Sequence, residues 1–198
     1  MRISTILLAT ATMASAVAVA TPAFAQDSTF AGPRVEATIG YDSVHSDDHV
    51  AATPNSINAA RLGIAAGYDV AIGKVVTVGV EGGIGWALGD GRSYTAGGTT
   101  TTIDTGRDID LSLRVGARVT PHTLVYAKGG WANSEFHGTA KTGASVISAS
   151  SNEDGWRAGV GIEQMLGEHV YAKAEYRYTD YGDDVTRHQA LVGVGYRF

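Results

Sequence analysis

The residues of this chain with the most capacity for chemistry are its six histidines, because the sequence contains no cysteine. The segment HSDDH places His45 and His49 on either side of Asp47 and Asp48. Imidazole and carboxylate groups at this spacing could bind a divalent cation. A solvated acidic loop has the same composition, and we favour that interpretation. The sequence therefore predicts no metal site.

The other histidines do not form a catalytic set. His122 and His169 lie in short turns of the predicted fold, His137 lies in a loop, and His188 begins the last predicted strand. A hydrolytic triad needs a serine, a histidine and an acid in contact, and none of these histidines has a serine and an acid nearby in that arrangement. The lack of cysteine also excludes disulfides and thiol catalysis. We predict no enzyme activity, no catalytic residue and no cofactor, and an enzyme that acts on lipid stays open as an alternative.

The elements that must position these residues are strands, because apolar and polar residues alternate with a period of two after residue 30. In the stretch RDIDLSLRVGARV, Leu111 and Leu113 share one face, whereas Asp110 and Arg114 share the other. The alternation occurs in eight stretches of the chain. This pattern predicts an all-β fold, an eight-stranded antiparallel up-and-down barrel.

The connections between the predicted strands alternate in length. The short ones, at residues 70–74, 120–123 and 166–169, contain turn residues such as Gly and Pro. The long ones are rich in Gly, Ser, Thr and Ala, and we expect them to be mobile. In an antiparallel meander this order places every long loop at one end of the barrel, which is the layout of outer-membrane barrels. The long loops cover residues 43–57, 88–106, 133–154 and 180–186.

The first stretch has the composition of a secretory signal peptide. It has a basic start at Arg2, an apolar centre and a small-residue ending with Ala23 and Ala25. Residues 1–25 are therefore predicted to be cleaved, leaving residues 26–198 as one outer-membrane barrel domain; an amphipathic helix that stays attached is the alternative. The formal net charge of −5 argues against a surface that binds nucleic acid.

Alternation alone does not say which face points outward, since a soluble lipocalin-like barrel has apolar residues inside. Three features favour the inverted, transmembrane arrangement. Charged residues make up 18% of the chain, below the roughly 25% of a soluble domain. Aromatic residues of the apolar face cluster near the strand ends, as at the two interfaces of a bilayer. The polar face carries both charge signs, and an Arg or Lys facing lipid at the midplane would cost about 2–4 kcal/mol.

The polar face is therefore predicted to line a narrow interior, where buried charges must be paired. The predicted lumen charge network, with a structural or gating role, consists of Glu36, Arg61, Glu81, Asp110, Arg114, Arg118, Lys128, Arg157, Glu163, Lys173, Glu175 and Arg177.

The chain ends in the stretch LVGVGYRF, with aromatic residues at Tyr196 and Phe198. In a closed barrel this last strand pairs with the first, so no sheet edge is left unpaired in lipid. Together with GPRVEATIGYD, VYAKGGWA, GWRAGVGIEQML and VYAKAEYRYTDYG, this ending resembles the small eight-stranded outer-membrane barrels of the opacity-protein and OmpA-type porin-like superfamily. The resemblance covers about residues 30–198. It implies that Tyr196 and Phe198 form the signal read by the barrel-assembly machinery of Gram-negative bacteria.

The predicted function follows from the fold and from this resemblance. We predict an integral outer-membrane barrel with a side-chain-filled, charge-paired lumen, which contributes to outer-membrane structure and conducts small solutes or ions at most. The alternative is a surface adhesin or ligand-binding barrel that acts through its long extracellular loops. The expected partners are outer-membrane lipid, lipopolysaccharide, the barrel-assembly machinery and, in the alternative, a surface ligand. We expect a monomer in the cell outer membrane.

Overall fold

The computed structural model describes residues 29–46, 56–88, 92–143, 145–182 and 185–198, which form nine β-strands joined by turns. Within these ranges, no helix combines the length and the hydropathy needed to cross a bilayer. The predicted signal peptide, with Ala23 and Ala25, lies outside the described residues. The strands are β1 (Gly32–Ser46), β2 (Ser56–Ile72), β3 (Val76–Leu88), β4 (Arg92–Ala96), β5 (Thr99–Thr120), β6 (Thr123–Thr142), β7 (Ser145–Met165), β8 (Val170–Asp180) and β9 (Val185–Arg197).

Eight of these strands close into an antiparallel barrel. Barrel strands that follow one another in the chain are paired, and two further pairings, β1 with β9 and β3 with β5, complete the circle. The short strand β4 pairs with the outer part of β5 and lies outside the barrel wall. The eight-stranded antiparallel barrel predicted from the alternation is therefore confirmed, and β4 is an addition that the alternation did not predict.

The period of two decides which side chains face outward. Leu113 and Val194 are 70% and 57% exposed on the outer wall, whereas Arg114 and Glu175 are 3% and 4% exposed. A register slip of one residue would exchange these two faces. The barrel thus has apolar side chains outside and ionisable ones inside, which is the inverse of a soluble lipocalin-like barrel.

Three barrel strands, β5, β6 and β7, continue beyond the barrel wall at the end opposite to the short turns. β6 and β7 stay paired as far as their hairpin turn, and the β4–β5 hairpin lies beside them. Hydroxyl groups bond across these strands, as between Thr99 and Thr142 at 2.7 Å. The prediction of long unpaired loops was therefore wrong for much of residues 88–106 and 133–154. Their β-branched residues and cross-strand hydroxyl pairs favour continued strand pairing.

An apolar layer lies at the short-turn end of the interior. Phe30, Leu124, Met165 and Tyr171 bury their side chains together there. The carbonyl of Phe30 also accepts a 2.9 Å hydrogen bond from Arg197 Nη1, which ties the segment before β1 to the last strand. Because Leu124 and Met165 stand beside the turns that join their strands, this layer separates the charged interior from the turn end of the barrel.

Two inward glycines admit tyrosine rings to the interior. A Cβ at Gly195 would lie 2.2 Å from Tyr171 Cζ, and a Cβ at Gly161 would lie 2.5 Å from Tyr126 Cζ. Neither distance is one that a real side chain could adopt without moving the ring. The close approach needs glycine at both positions, and it allows the two tyrosine hydroxyl groups to reach interior carboxylates.

Candidate functional site

Ionisable side chains fill the interior of the barrel. In the described part of the chain, nine basic and eight acidic side chains are buried there, which leaves one surplus positive charge. The basic members are Arg34, Arg61, Arg114, Lys128, Arg157, Lys173, Arg177, Arg187 and Arg197, and the acidic members are Glu36, Asp42, Asp69, Glu81, Asp108, Asp110, Glu163 and Glu175.

The turn-end cluster consists of Asp69, Arg114, Glu163 and Arg197, which come from four different strands. Arg197 lies 2.9 Å from Asp69 and 3.1 Å from Glu163, so the last strand is linked to β2 and β7 through the interior. Arg114 lies 2.7 Å from Glu163, and its guanidinium group lies 3.8 Å from the centre of the Tyr126 ring. Such a contact adds a cation–π attraction to the ion pair.

The central ring lies above this cluster and alternates in charge around a closed circle. Lys173 Nζ lies 2.6 Å from Glu36 and 2.9 Å from Glu175. Lys128 Nζ lies 2.8 Å from Glu175 and 2.5 Å from Glu81. Arg34, which is fully buried, closes the circle by pairing with both Glu81 and Glu36. The six members, in order, are Glu36, Lys173, Glu175, Lys128, Glu81 and Arg34.

Further groups complete the hydrogen bonding of the central ring. Tyr126 donates to Glu175 at 2.5 Å, and Tyr171 donates to Glu36 at 3.0 Å. Arg34 Nε donates to Asp69 at 3.0 Å and so joins the ring to the turn-end cluster. Buried charge is tolerated when each group has partners of this kind.

The outer cluster lies toward the end that carries the long hairpins. Arg157 binds Asp108 with both terminal nitrogens at 2.8 Å, a bidentate geometry. Arg187 lies 2.8 Å from Asp108 and 2.7 Å from Asp42, and it therefore links these two acids. Arg177 pairs with acids of both the ring and this cluster and so connects the two. The members of the outer cluster are Asp42, Arg61, Asp108, Asp110, Arg157, Arg177 and Arg187.

Eleven of the twelve residues predicted for the lumen are buried in these three groups. Arg118 is a correction, since it lies half-buried at the turn end, where its guanidinium group donates to the carbonyl of Lys74. Its position beside the β5–β6 turn explains this, because a long side chain there reaches the neighbouring turn. The prediction also left out interior residues nearer the strand ends, although the same alternation places them on the polar face: Arg34, Asp42, Asp69, Asp108, Arg187 and Arg197.

Aromatic side chains lie on the outer wall near both ends of the barrel. At the turn end, the rings of Tyr196 and Phe198 lie 5.0 Å apart, and Tyr196 stacks on His169 at 5.3 Å. The amide of Phe198 donates to the carbonyl of Pro33 at 3.0 Å, which continues the pairing of the last strand with the first. Among the side chains that the structure describes, the exposed aromatic residues at the other end are Tyr41, Trp86, Trp131, Trp156 and Tyr176.

Three histidines make side-chain contacts at the surface of the protein. His188 Nδ1 lies 2.6 Å from Tyr176 Oη, and His169 Nδ1 lies 3.0 Å from the carbonyl oxygen of Arg197. His137 Nε2 lies 3.5 Å from a carboxylate oxygen of its neighbour Glu135. Of the HSDDH segment, the backbone at His45 belongs to β1, and Asp47, Asp48 and His49 lie outside the described residues.

A closed antiparallel barrel with an aliphatic outer wall, aromatic residues at both ends and ionised residues inside is a transmembrane β-barrel. Comparison of the sequence with protein families gives the more particular assignment. The family described as "Outer membrane protein beta-barrel domain" matches residues 9–198, and the chain belongs to this family. It is an integral β-barrel protein of the cell outer membrane.

Curated relatives come from Brucella. The 25 kDa outer-membrane immunogenic protein of Brucella ovis is 30% identical over 142 residues, which cover 70% of this chain and 63% of the relative. The protein of the same description from Brucella abortus is 29% identical over 152 residues, covering 70% of this chain and 65% of the relative. The chain thus spans less than two thirds of the length of these relatives.

Solved structures share the fold at low sequence identity. Ail, the attachment invasion locus protein of Yersinia pestis, is 16% identical with a TM-score of 0.54, and the match covers 84% of this chain and 99% of Ail. Neisserial surface protein A is 19% identical with a TM-score of 0.56, and the match covers 84% of this chain and 97% of that protein.

Proposed function

We propose that the protein contributes to outer-membrane structure as a barrel with a filled lumen, and that it conducts small ions or solutes at most. The observation that carries this proposal is the closed central ring, whose six side chains are 0% exposed. An ion that moves along the barrel axis must separate members of the ring. Loss of one partner of a buried ion pair costs about 3–5 kcal/mol.

The apolar layer at the turn end adds a second barrier. The side chains of Phe30, Leu124 and Met165 offer a permeating ion no polar replacement for its hydration shell. Removing an ion from water without compensation is strongly unfavourable. The two barriers lie in series along the axis, so we expect conductance far below that of a sixteen-stranded porin, whose interior is an aqueous channel.

Planar-bilayer recording tests this proposal. The refolded mature barrel is recorded in the same lipid and salt as a sixteen-stranded porin, with heat-modifiable migration on gels as the check of folding. We expect small or absent current steps. A large, steady and weakly selective conductance from the folded barrel would contradict the filled lumen.

A second candidate function is binding at the cell surface, and the β6–β7 hairpin favours it. This paired hairpin extends beyond the barrel wall and exposes Val146 and Ile147 to 58% and 72%. Exposed apolar residues on a projecting hairpin offer a contact surface for another macromolecule. The Brucella relatives are described as immunogenic, which is consistent with segments that are reachable from outside the cell.

Shortening the hairpin tests this second function without disturbing the barrel. His137 pairs with Ser150, so residues 138–149 can be replaced by an Asn-Gly turn of the kind that closes two-residue hairpins. Cells carrying this variant should lose adhesion to cultured epithelial monolayers while the folded band persists on gels. A matched control shortens the β4–β5 hairpin instead. Unchanged adhesion after removal of residues 138–149 would argue against this function.

We also propose that the barrel-assembly machinery reads the C-terminal aromatic pair, and that the barrel is a monomer surrounded by lipid and lipopolysaccharide. Tyr196 and Phe198 support the first part, because both rings are exposed on the outer wall at the turn end. Phe198→Ala should lower the amount of barrel assembled in cells, while refolding of the purified chain in detergent stays normal. An equal loss in both settings would indicate a folding defect instead of a lost signal.

The contacts of the histidines support a role without catalysis, and we propose that the protein is not an enzyme. His169 and His188 are engaged with a backbone carbonyl and a tyrosine hydroxyl on the barrel surface. The test compares the outer-membrane lipids of cells with and without the protein by mass spectrometry. A lipid change that depends on the protein and disappears when one histidine is substituted would overturn the proposal.

A further inference from the structure

A small cavity with both polar and apolar lining lies inside the barrel beside the outer cluster. Its volume is about 20 Å³, and one water molecule needs roughly 10–15 Å³ of such space. The cavity exists because inward positions on β2 and β3 are glycines, namely Gly63, Gly83 and Gly85. The charged residues that line it are two arginines, Arg61 and Arg177, and two aspartates, Asp108 and Asp110. A Cβ at Gly85 would lie 3.7 Å from Arg61 Nε, so these glycines leave the space beside the guanidinium group open.

Arg61 has donors in this region that no described residue satisfies. Its side chain is buried, with 3% of the residue exposed, and both Nε and Nη1 lack a hydrogen-bond partner. The nearest acid is Asp42, 3.6 Å from Nη1, and Nη2 makes a long 3.4 Å bond to the carbonyl of Gly106. A buried cation left in this state is costly, so the arrangement calls for a further acceptor.

The acids around Arg61 are already engaged by other arginines. Both oxygens of Asp42 accept from Arg187, and both oxygens of Asp108 accept from Arg157. The outer cluster contains four arginines and three aspartates, and one of these arginines also pairs with the central ring. Arg61 is the arginine of the outer cluster with the weakest pairing, because its nearest carboxylate oxygen lies 3.6 Å away, and the outer cluster holds one more arginine than aspartate.

From this geometry we propose that the cavity beside Arg61 binds a small monovalent anion of the size of chloride or bromide. A water molecule would supply an acceptor but no charge, whereas a halide supplies both. Gln189 also lines the cavity, and its Oε1 has no partner. Rotation of this amide by 180° turns its NH₂ group toward the anion, because the two orientations have the same shape.

The site is one of binding and does not depend on conduction. The central ring and the apolar layer lie between the cavity and the turn end of the barrel, so an anion at Arg61 has no open path to the periplasmic side. The inference therefore goes beyond the proposed function, and the two can fail separately. A conductance measurement tests whether the lumen is filled, whereas detection of a bound anion tests the site at Arg61.

Bromide diffraction provides the direct test. Crystals of the refolded mature barrel grown in sodium bromide should give an anomalous peak within hydrogen-bond distance of Arg61 Nε or Nη1. The peak should disappear in Gln189→Glu, because the new carboxylate gives Arg61 an acid of its own and repels the halide. A cavity that holds only water in bromide crystals of the natural sequence would overturn the proposal.

Denaturation in different salts provides a solution test. At equal ionic strength, sodium bromide should shift the urea midpoint of the natural barrel above its value in sodium gluconate, whose anion is too large for the cavity, because a ligand that binds the folded state stabilises it. Arg61→Gln and Gln189→Glu should both lose this shift, and Arg118→Gln is the matched control that should keep it. If Arg61→Gln does not fold, Gln189→Glu retains the arginine and decides alone. A bromide shift that persists in Gln189→Glu would contradict the site.

Discussion

Replacing Lys173 by Met removes one cation from the central ring and keeps a side chain of similar length. Lys173 Nζ lies 2.6 Å from Glu36 and 2.9 Å from Glu175, and all three side chains are 0% exposed. Removing one partner of a buried ion pair usually costs about 3–5 kcal/mol. Both carboxylates keep other donors here, since Arg34 lies 3.1 Å from Glu36 and Lys128 lies 2.8 Å from Glu175. We therefore expect a loss of about 3 kcal/mol in the free energy of unfolding, the lower end of that range.

Urea titration in lipid vesicles measures this loss through tryptophan fluorescence, because the three tryptophans lie on the outer wall and their emission reports transfer into lipid. Lys141→Met, on the exposed outer hairpin, is the matched control and should stay within about 0.5 kcal/mol of the natural barrel. The double variant Glu36→Gln with Lys173→Met should lose less than the sum of the single losses, since coupled residues deviate from additivity by about 0.5–3 kcal/mol.

Two results would refute the reasoning behind this prediction. The first is a Lys173→Met barrel as stable as the Lys141→Met control, which would mean that water already screens the ring. The second is strict additivity in the double variant, which would mean that Glu36 and Lys173 do not interact across the interior despite their 2.6 Å separation.

Three further predictions use the same unfolding assay or the same vesicles. Gly195→Ala should lose about 1–3 kcal/mol through overpacking against Tyr171, whereas Gly129→Ala, whose new Cβ would lie 3.9 Å from its nearest neighbour, should be close to neutral. Leu113→Arg should lose about 2–4 kcal/mol and Val119→Arg about 0–1 kcal/mol; equal losses would contradict the bilayer position of β5. Lipids brominated on their acyl chains should quench the tryptophans more strongly than aqueous iodide does, and the opposite order would place the outer wall in water.

The side-chain faces of this barrel could be predicted from the sequence because a strand repeats every two residues. Once Leu113 is taken as outward, Arg114 must point inward, and the same step holds along every barrel strand. The pairing partners could not be predicted. Whether Lys128 meets Glu81 or Glu163 depends on the tilt and stagger of the strands around the barrel, and the alternation of a single strand contains no information about either quantity.

The outer hairpins were the least predictable part of the fold. Segments such as YTAGGTTTTIDTG have the Gly and Thr content of a surface loop, and the same Thr residues have high strand propensity. Which tendency prevails depends on a neighbour for each strand to pair with. β5 and β6 leave the barrel wall already paired, so continued pairing needs no new nucleation. Strand β6 also stays paired with β7, and the β6–β7 hairpin extends to Thr142. The composition of a segment does not show whether a neighbouring strand is available for pairing.

The central ring is better suited to specifying the fold than to maximising its stability. Replacing buried ion pairs with apolar residues often leaves a protein equally stable or more stable, so stability alone does not explain seventeen buried charges. A slip of one residue, however, would move every charge of a strand into lipid, and no alternative register with aliphatic residues outside exists for β8, where Lys173, Glu175 and Arg177 follow one another on one face. The same arrangement also leaves room for exchange of partners, since Lys128 lies within 2.8 Å of both Glu81 and Glu175. Opening the lumen still requires that buried partners separate, at a cost of about 3–5 kcal/mol for each pair that is broken.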